Sequence, residues 1–155
     1  MVLYLVQHAE AKREEEDPAR DLTEKGRRDI QKVAGHLGRF QLPISRIFHS
    51  GKTRAQSTAN LLAASLPPVQ GVEAAAGLAP LDDPEIWAGR LEQLDEDLML
   101  VGHLPHLAKL AARLLVGDEQ KKVINFHMAG VACLRREAGH WAVDWLIIPE
   151  LISDN

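Results

Sequence analysis

Three polar segments each follow a short apolar run, and their side chains are of the kinds that bind and transfer phosphate. Gln7 and His8 follow the first run, Ser50 and then Arg54 follow the second, and His103 follows the third. A neutral imidazole can attack phosphorus and carry the phosphoryl group covalently. A guanidinium binds phosphate oxygens as a bidentate fork, and the free N–H groups of helix N-termini favour anions. These residue types together predict a phosphate site.

Each of these side chains also has an ordinary structural interpretation. His8 could simply end a strand, Arg54 could lie on the surface, and His103 could be a core histidine that bonds a carbonyl. A metal-assisted hydrolase is a further hypothesis, because His103 and His106 are three residues apart and His8 and His49 could lie nearby. Polar residues follow each of three predicted buried strands, and this joint pattern favours the phosphate site over either alternative.

The elements that would position these residues alternate between strands and helices. Hydrophobic periodicity predicts strands at 2–6, 45–49 and 98–101, helices at 22–40 and 53–66, a helix starting at 83–84, another after 105, and a hairpin of 131–135 with 141–148. Residues 63–80 are predicted to be a helix end plus a loop. This order predicts an α/β fold, a three-layer α/β/α sandwich with a mostly parallel mixed sheet and a C-terminal antiparallel hairpin. In such sheets the ligand crevice lies outside the carboxyl ends of the strands.

Length and composition exclude several classes of protein. The 155 residues predict one domain over 1–155, and 46% hydrophobic residues is a globular balance. A net charge of −4 argues against nucleic acid as a partner. No apolar run approaches the ~18 residues of a membrane span, and the N-terminal run is too short for a signal peptide, so we expect a cytoplasmic protein. One cysteine, Cys133, excludes an internal disulfide framework.

Four segments, at 5–11, 21–26, 50–58 and 101–105, resemble the histidine phosphatase superfamily in residue type and order. The resemblance implies a phosphoglycerate-mutase-like fold, and the chain is similar to the small SixA-type phosphohistidine phosphatases. The resemblance implies that His8 is the nucleophile, Arg54 the phosphate-binding arginine, His103 the second histidine and Arg20 a further basic residue that faces the substrate. It implies a phosphatase acting through phospho-His8 on a phosphohistidine protein or a small phosphorylated compound, without metal or cofactor.

Two positions depart from the family signature Arg-His-Gly, which reads Gln7-His8-Ala9 in this chain. Gln7 can donate a hydrogen bond to a phosphate oxygen, but it carries no charge. Hydrogen bonds to charged groups contribute about 1.5–3 kcal/mol, so the loss would lower the rate on the order of 10- to 100-fold. A neutral Gln7 also predicts a higher pKa for His8 than in the family. The alternative function is therefore a weak or inactive relative that binds phosphate or phosphohistidine.

The general acid is open at this stage. Glu10, Asp82 and Asp83 are candidates by position, although each could instead be a solvated or helix-capping residue. A phosphohistidine substrate reduces the need for an acid, because imidazole leaves more readily than an alkoxide.

Overall fold

A computed structural model describes residues 1–154, which form six strands and four α-helices. The strands are β1 (Val2–Gln7), β2 (Arg46–His49), β3 (Val72–Ala74), β4 (Leu98–Gly102), β5 (Val131–Glu137) and β6 (His140–Ile147). The α-helices are α1 (Glu24–Leu37), α2 (Thr53–Ser65), α3 (Pro84–Glu92) and α4 (His106–Val116), and short 3-10 turns span Gly38–Phe40 and Pro149–Leu151.

The sheet has the strand order β3-β2-β4-β1-β5-β6. The first four of these strands run parallel, whereas β5 is antiparallel to both β1 and β6. Helices α1 and α2 pack together over one face of the sheet, and α3 and α4 pack together over the other. The predicted three-layer α/β/α sandwich with a mostly parallel mixed sheet and a C-terminal hairpin is confirmed.

Strand β1 lies in the middle of the sheet and is buried on both faces. Tyr4 and Val6 pack into the core beneath α1 and α2, while Leu3 and Leu5 pack into the core beneath α3 and α4. A strand covered on both sides has no polar face, which is why its sequence is a continuous apolar run. The first polar side chains after Val6 therefore mark the point where the strand reaches the edge of the sheet.

Local signals correctly placed two of the helix starts. The hydroxyl of Thr23 accepts a hydrogen bond from the Gly26 backbone N–H at 2.9 Å, so Thr23 caps α1. Asp83 caps α3 in the same way, with Pro84 as its first residue. Within residues 1–154, no helix combines the length and apolar character that crossing a membrane needs.

The prediction of a helix end plus a loop over 63–80 is wrong at Val72–Ala74, which form β3. These three residues pair with Ile47–His49 at the edge of the sheet and are largely exposed. An exposed edge strand this short carries no alternating or continuous apolar pattern, so its sequence resembles that of a loop. It forms because β2 offers it a row of backbone partners.

Candidate active site

The carboxyl ends of β1, β2 and β4 meet at one edge of the sheet. Gln7 lies opposite Gly102 in the register of β1 with β4, and His49 lies opposite Val101 in that of β2 with β4. The residues that follow these ends therefore come together. The rings of His8 and His103 have centroids 5.0 Å apart, and Ser50 Oγ lies 2.7 Å from His103 Nε2.

A contact with a backbone carbonyl shows which nitrogen of the His8 ring carries the proton. His8 Nδ1 lies 2.7 Å from the carbonyl oxygen of Ala9, and a carbonyl can only accept, so Nδ1 carries the proton. The other ring nitrogen, Nε2, is then left with its lone pair. The His8 backbone is held as well, because its N–H donates to the Gly102 carbonyl at 3.0 Å. Ala9 is not among the residues with positive φ, so its backbone needs no glycine.

A buried hydroxyl connects this turn to helix α2. Thr58 Oγ1 accepts from the Ala9 N–H at 3.0 Å and donates to the Arg54 carbonyl at 2.8 Å. The Thr58 side chain thus links Ala9, which orients His8, to Arg54 in the first turn of α2. Sequence reasoning included Thr58 in the segment 50–58 but assigned it no role, and its position one helical turn after Arg54 was the available signal.

Three cationic side chains lie around the two histidines. Arg54 is the second residue of α2, and Lys52 is the residue that precedes that helix. Arg20 adopts a left-handed backbone conformation with φ 52°, and its Nε donates to the Lys12 carbonyl at 3.0 Å. An arginine in this region of φ is uncommon, and such conformations are concentrated at functional sites.

Burial and these charges keep both histidines neutral. Burial is the largest cause that lowers the pKa of His8 below its ordinary value of 6.5, and the charges of Arg54 and Arg20 lower it further. Burial also lowers the pKa of His103, to about 3, with smaller contributions from His8 and Arg54. Although Gln7 carries no charge, the pKa of His8 in this chain therefore lies below the ordinary value, and its Nε2 is unprotonated at neutral pH.

Gln7 itself lies on the wall of a separate cleft, which we call the Gln7 cleft. It has a volume of about 300 Å³, and its lining comprises Gln7, Glu10, Lys25, Asp29, Leu104, Phe126, His127, Met128 and Glu150. Arg20, Arg54 and His103 are not part of that lining. The Gln7 Oε1 atom is buried and has no hydrogen-bond partner. Gln7 thus directly precedes His8 in the chain and also contributes to the lining of this cleft.

Comparison with known proteins places the chain in a family. Residues 3–97 match the model of the histidine phosphatase superfamily (branch 1). A protein from Picosynechococcus sp., itself uncharacterised, is 33% identical over 144 residues, covering 89% of this chain and 87% of that protein. The chain belongs to the histidine phosphatase superfamily. Membership in this superfamily supports a phosphatase.

Solved structures of histidine phosphatases share the whole fold. The protein histidine phosphatase SixA, complexed with tungstate, superimposes with a TM-score of 0.83 at 23% identity, covering 96% of this chain and 97% of that chain. The alpha-ribazole phosphatase from Shigella flexneri gives 0.74 at 16% identity, covering 94% of this chain and 96% of that chain. At these identities the likeness is one of fold, and it extends over nearly the full length of both chains.

The histidines of the metal hypothesis are not assembled into a ligand group within the described residues. Across residues 1–154, no three or more His, Cys, Asp or Glu side chains are grouped so that they could hold a metal ion. His49 Nδ1 accepts from the Gly51 N–H at 3.1 Å. His106, the first residue of α4, is fully buried, and neither of its ring nitrogens has a hydrogen-bond partner.

The three candidate acids each hold a local structural bond. Glu10 Oε2 accepts from the Thr23 hydroxyl at 2.7 Å, beside the start of α1. Asp82 accepts from the Ala79 N–H, and Asp83 caps α3. These bonds account for the positions of the carboxylates without assigning any of them to proton transfer.

Proposed function

We propose that this protein is a phosphohistidine phosphatase that acts through a covalent phospho-His8 intermediate. The observation that carries the proposal is the 2.7 Å contact of His8 Nδ1 with the Ala9 carbonyl, which leaves the Nε2 lone pair free. The lowered pKa of His8 supports it, because a protonated imidazole cannot attack phosphorus. The nearby charges of Arg20 and Arg54 suit an anionic phosphoryl group.

In the first step His8 Nε2 attacks the phosphorus atom of the substrate. A new P–N bond forms to His8, the P–N bond of the phosphohistidine breaks, and its electron pair stays with the leaving imidazole. Arg54 and Arg20 offset the charge on the three peripheral phosphoryl oxygens. His103 donates a hydrogen bond from Nε2 to one of these oxygens, in place of its contact with Ser50.

In the second step water hydrolyses the phosphoenzyme. The oxygen of water bonds to phosphorus, the bond to His8 Nε2 breaks, and the lone pair returns to the ring. The protons of water remain on the released phosphate or pass to solvent. The cationic side chains supply the stabilisation of negative charge, so the proposed reaction uses no metal or cofactor.

A second candidate function is a binding module for phosphate or phosphohistidine. The neutral Gln7, where the family signature has arginine, is the observation that favours it. Such a protein would use the same arginines to hold a phosphoryl group but would not transfer it to His8.

Rapid-quench labelling with a ³²P-phosphohistidine protein distinguishes the two functions. We expect an acid-labile, alkali-stable phosphoenzyme and phosphate release from the native chain, and neither from His8→Ala. The matched control is His140→Ala, because His140 is an exposed histidine at the start of β6. Phosphate release that persists in His8→Ala overturns the covalent mechanism. Substrate binding without label or release in the native chain supports the binding module instead.

A further inference from the structure

Lys52 is linked to His103 through Ser50. The Lys52 backbone N–H donates to Ser50 Oγ at 3.3 Å, and the same oxygen lies 2.7 Å from His103 Nε2. In the proposed reaction this Nε2 turns to the phosphoryl group, so the start of α2 borders the position of that group. Lys52 is exposed at this point, and its flexible four-carbon stem carries a compact charge with three rotatable N–H donors.

The charges of the three cations around the site act on different histidines. Burial is the largest cause that lowers the pKa of His103, and nearby charges, among them those of Arg54 and Lys52, lower it further. Burial also comes first for His8, and the charges that lower its pKa are those of Arg54 and Arg20. Arg54 therefore acts on both rings. Lys52 acts on the ring of His103 and brings positive charge to that side of the site.

No carboxylate neutralises these three cations in the described part of the chain. Across residues 1–154, Arg20, Lys52 and Arg54 take part in no ion pair. Acidic side chains are not scarce, since the chain has a net charge of −4, and Arg27 at the start of α1 is paired with Asp21 at 3.1 Å. Neighbouring cations that lack a carboxylate partner are free to bind an anion.

Gln7 makes the end of β1 one positive charge short of the family signature. That signature has arginine before the histidine, whereas the Gln7 amide is neutral. Phosphoryl transfer spreads negative charge over three peripheral oxygens, and catalysis depends on cations placed against them. A lysine serves such an oxygen as a point charge and does not need the planar fork of arginine. A lysine beside the second histidine can therefore take over this role.

We propose that Lys52 binds a peripheral oxygen of the phosphoryl group on the side of His103, and that its ammonium replaces the positive charge absent at Gln7. This assignment rests on the proposed function. Lys52 makes and breaks no covalent bond, but it holds the phosphoryl group and stabilises its charge in both transfer steps. The charge thus comes from the residue that precedes α2 instead of from the end of β1.

The affinity for tungstate, a tetrahedral oxyanion like phosphate, tests this assignment without turnover. We expect isothermal titration calorimetry to give an affinity about 10- to 100-fold weaker for Lys52→Met than for the native protein, the range for a hydrogen bond to a charged group. Lys52→Arg keeps the charge and should stay close to the native affinity. The matched control is Lys122→Met, which removes an exposed lysine between α4 and β5 and should bind tungstate like the native protein.

Three results of this titration overturn the assignment. The first is a Lys52→Met variant that binds tungstate as tightly as Lys122→Met does. The second is a Lys52→Arg variant that binds as weakly as Lys52→Met, because the charge would then not be what matters. The third is a native protein that binds no tungstate.

A double-mutant cycle with Gln7→Arg tests whether Lys52 stands in for the missing arginine. We expect Lys52→Met to lower kcat/KM for a phosphohistidine protein about 10- to 100-fold in the native background. The loss should be smaller in the Gln7→Arg background, where the new guanidinium supplies the charge. An equal or larger loss in that background overturns the assignment. Failure of the proposed function looks different, since the native chain would then release no phosphate while the tungstate titration would still report on Lys52.

Discussion

Replacing Thr58 by valine tests whether one buried hydroxyl holds the nucleophile in place. Thr58 is fully buried, and its Oγ1 bonds both the Ala9 N–H and the Arg54 carbonyl. Valine fills almost the same volume but leaves the Ala9 N–H without a partner. An unsatisfied buried donor costs about 1–3 kcal/mol. In a chain of 155 residues, each kcal/mol lowers Tm by roughly 2–4 °C, so Tm should fall by about 2–12 °C.

The same substitution should also lower the rate of phosphoryl transfer. The Ala9 carbonyl sets the proton position on His8, so a looser Ala9 leaves Nε2 less often in the reactive form. If about 1.4 kcal/mol of the penalty is felt at the site, kcat falls about tenfold. Differential scanning calorimetry gives the stability, and single-turnover phosphate release from a phosphohistidine protein gives the rate.

The matched control for this experiment is Thr58→Ser. Serine keeps the hydroxyl and both hydrogen bonds and removes only a methyl group, so it should lose about 1 kcal/mol of stability and little activity. Our reasoning is wrong if the valine variant melts with the native protein. It is also wrong if the serine and valine variants lose kcat to the same extent.

Two further predictions concern stability. Burial holds the pKa of His103 at about 3 and lowers that of His106, so below about pH 6.5 the unfolded chain binds protons that the folded chain does not. Above that pH the two histidines should therefore not reduce the free energy of unfolding. Below it the free energy of unfolding should fall as the pH decreases, by up to about 1.4 kcal/mol per pH unit for each histidine. Urea midpoints at several pH values measure this, His106→Leu should reduce the slope, and midpoints that do not change with pH would contradict it. Gly26→Ala places a Cβ against the Glu10 carbonyl oxygen and should destabilise by about 1–3 kcal/mol, whereas Gly35→Ala meets nothing within 4 Å and should stabilise by about 0.5–1 kcal/mol. Equal melting temperatures for the two alanine variants would refute the packing argument.

Much of the fold could be predicted because its signals are local. The apolar runs of β1 and β4 are those of strands buried on both faces, and Thr23 and Asp83 cap helices through bonds to residues two or three positions away. β3 could not be predicted, because its three exposed residues form a strand only by pairing with β2. The strand order itself follows from which strands pair, and that information is not contained in any short window.

The sequence predicts which residues belong to the candidate site better than it predicts how their side chains are arranged. His8 and His103 each follow a buried parallel strand, and parallel strands bring their carboxyl ends to the same edge of the sheet. Gln7 is the last residue of β1, and its position alone predicted that it would face the phosphate. Gln7 also contributes to the lining of the Gln7 cleft, and its place in the phosphate site stays a prediction.

The residue types of this site and their order are properties of the amino-acid sequence, and so are most of the strands and helices that position them. These elements follow from periodicity and capping, in which each residue acts on neighbours a few positions away. What each group can do depends instead on contacts between distant parts of the folded chain. The turn that sets the proton on His8 is held by a hydrogen bond spanning 49 residues, from Ala9 to Thr58, and His103 is met by Ser50 across 53 residues. Such contacts depend on how the layers pack, and packing is a property of the whole chain.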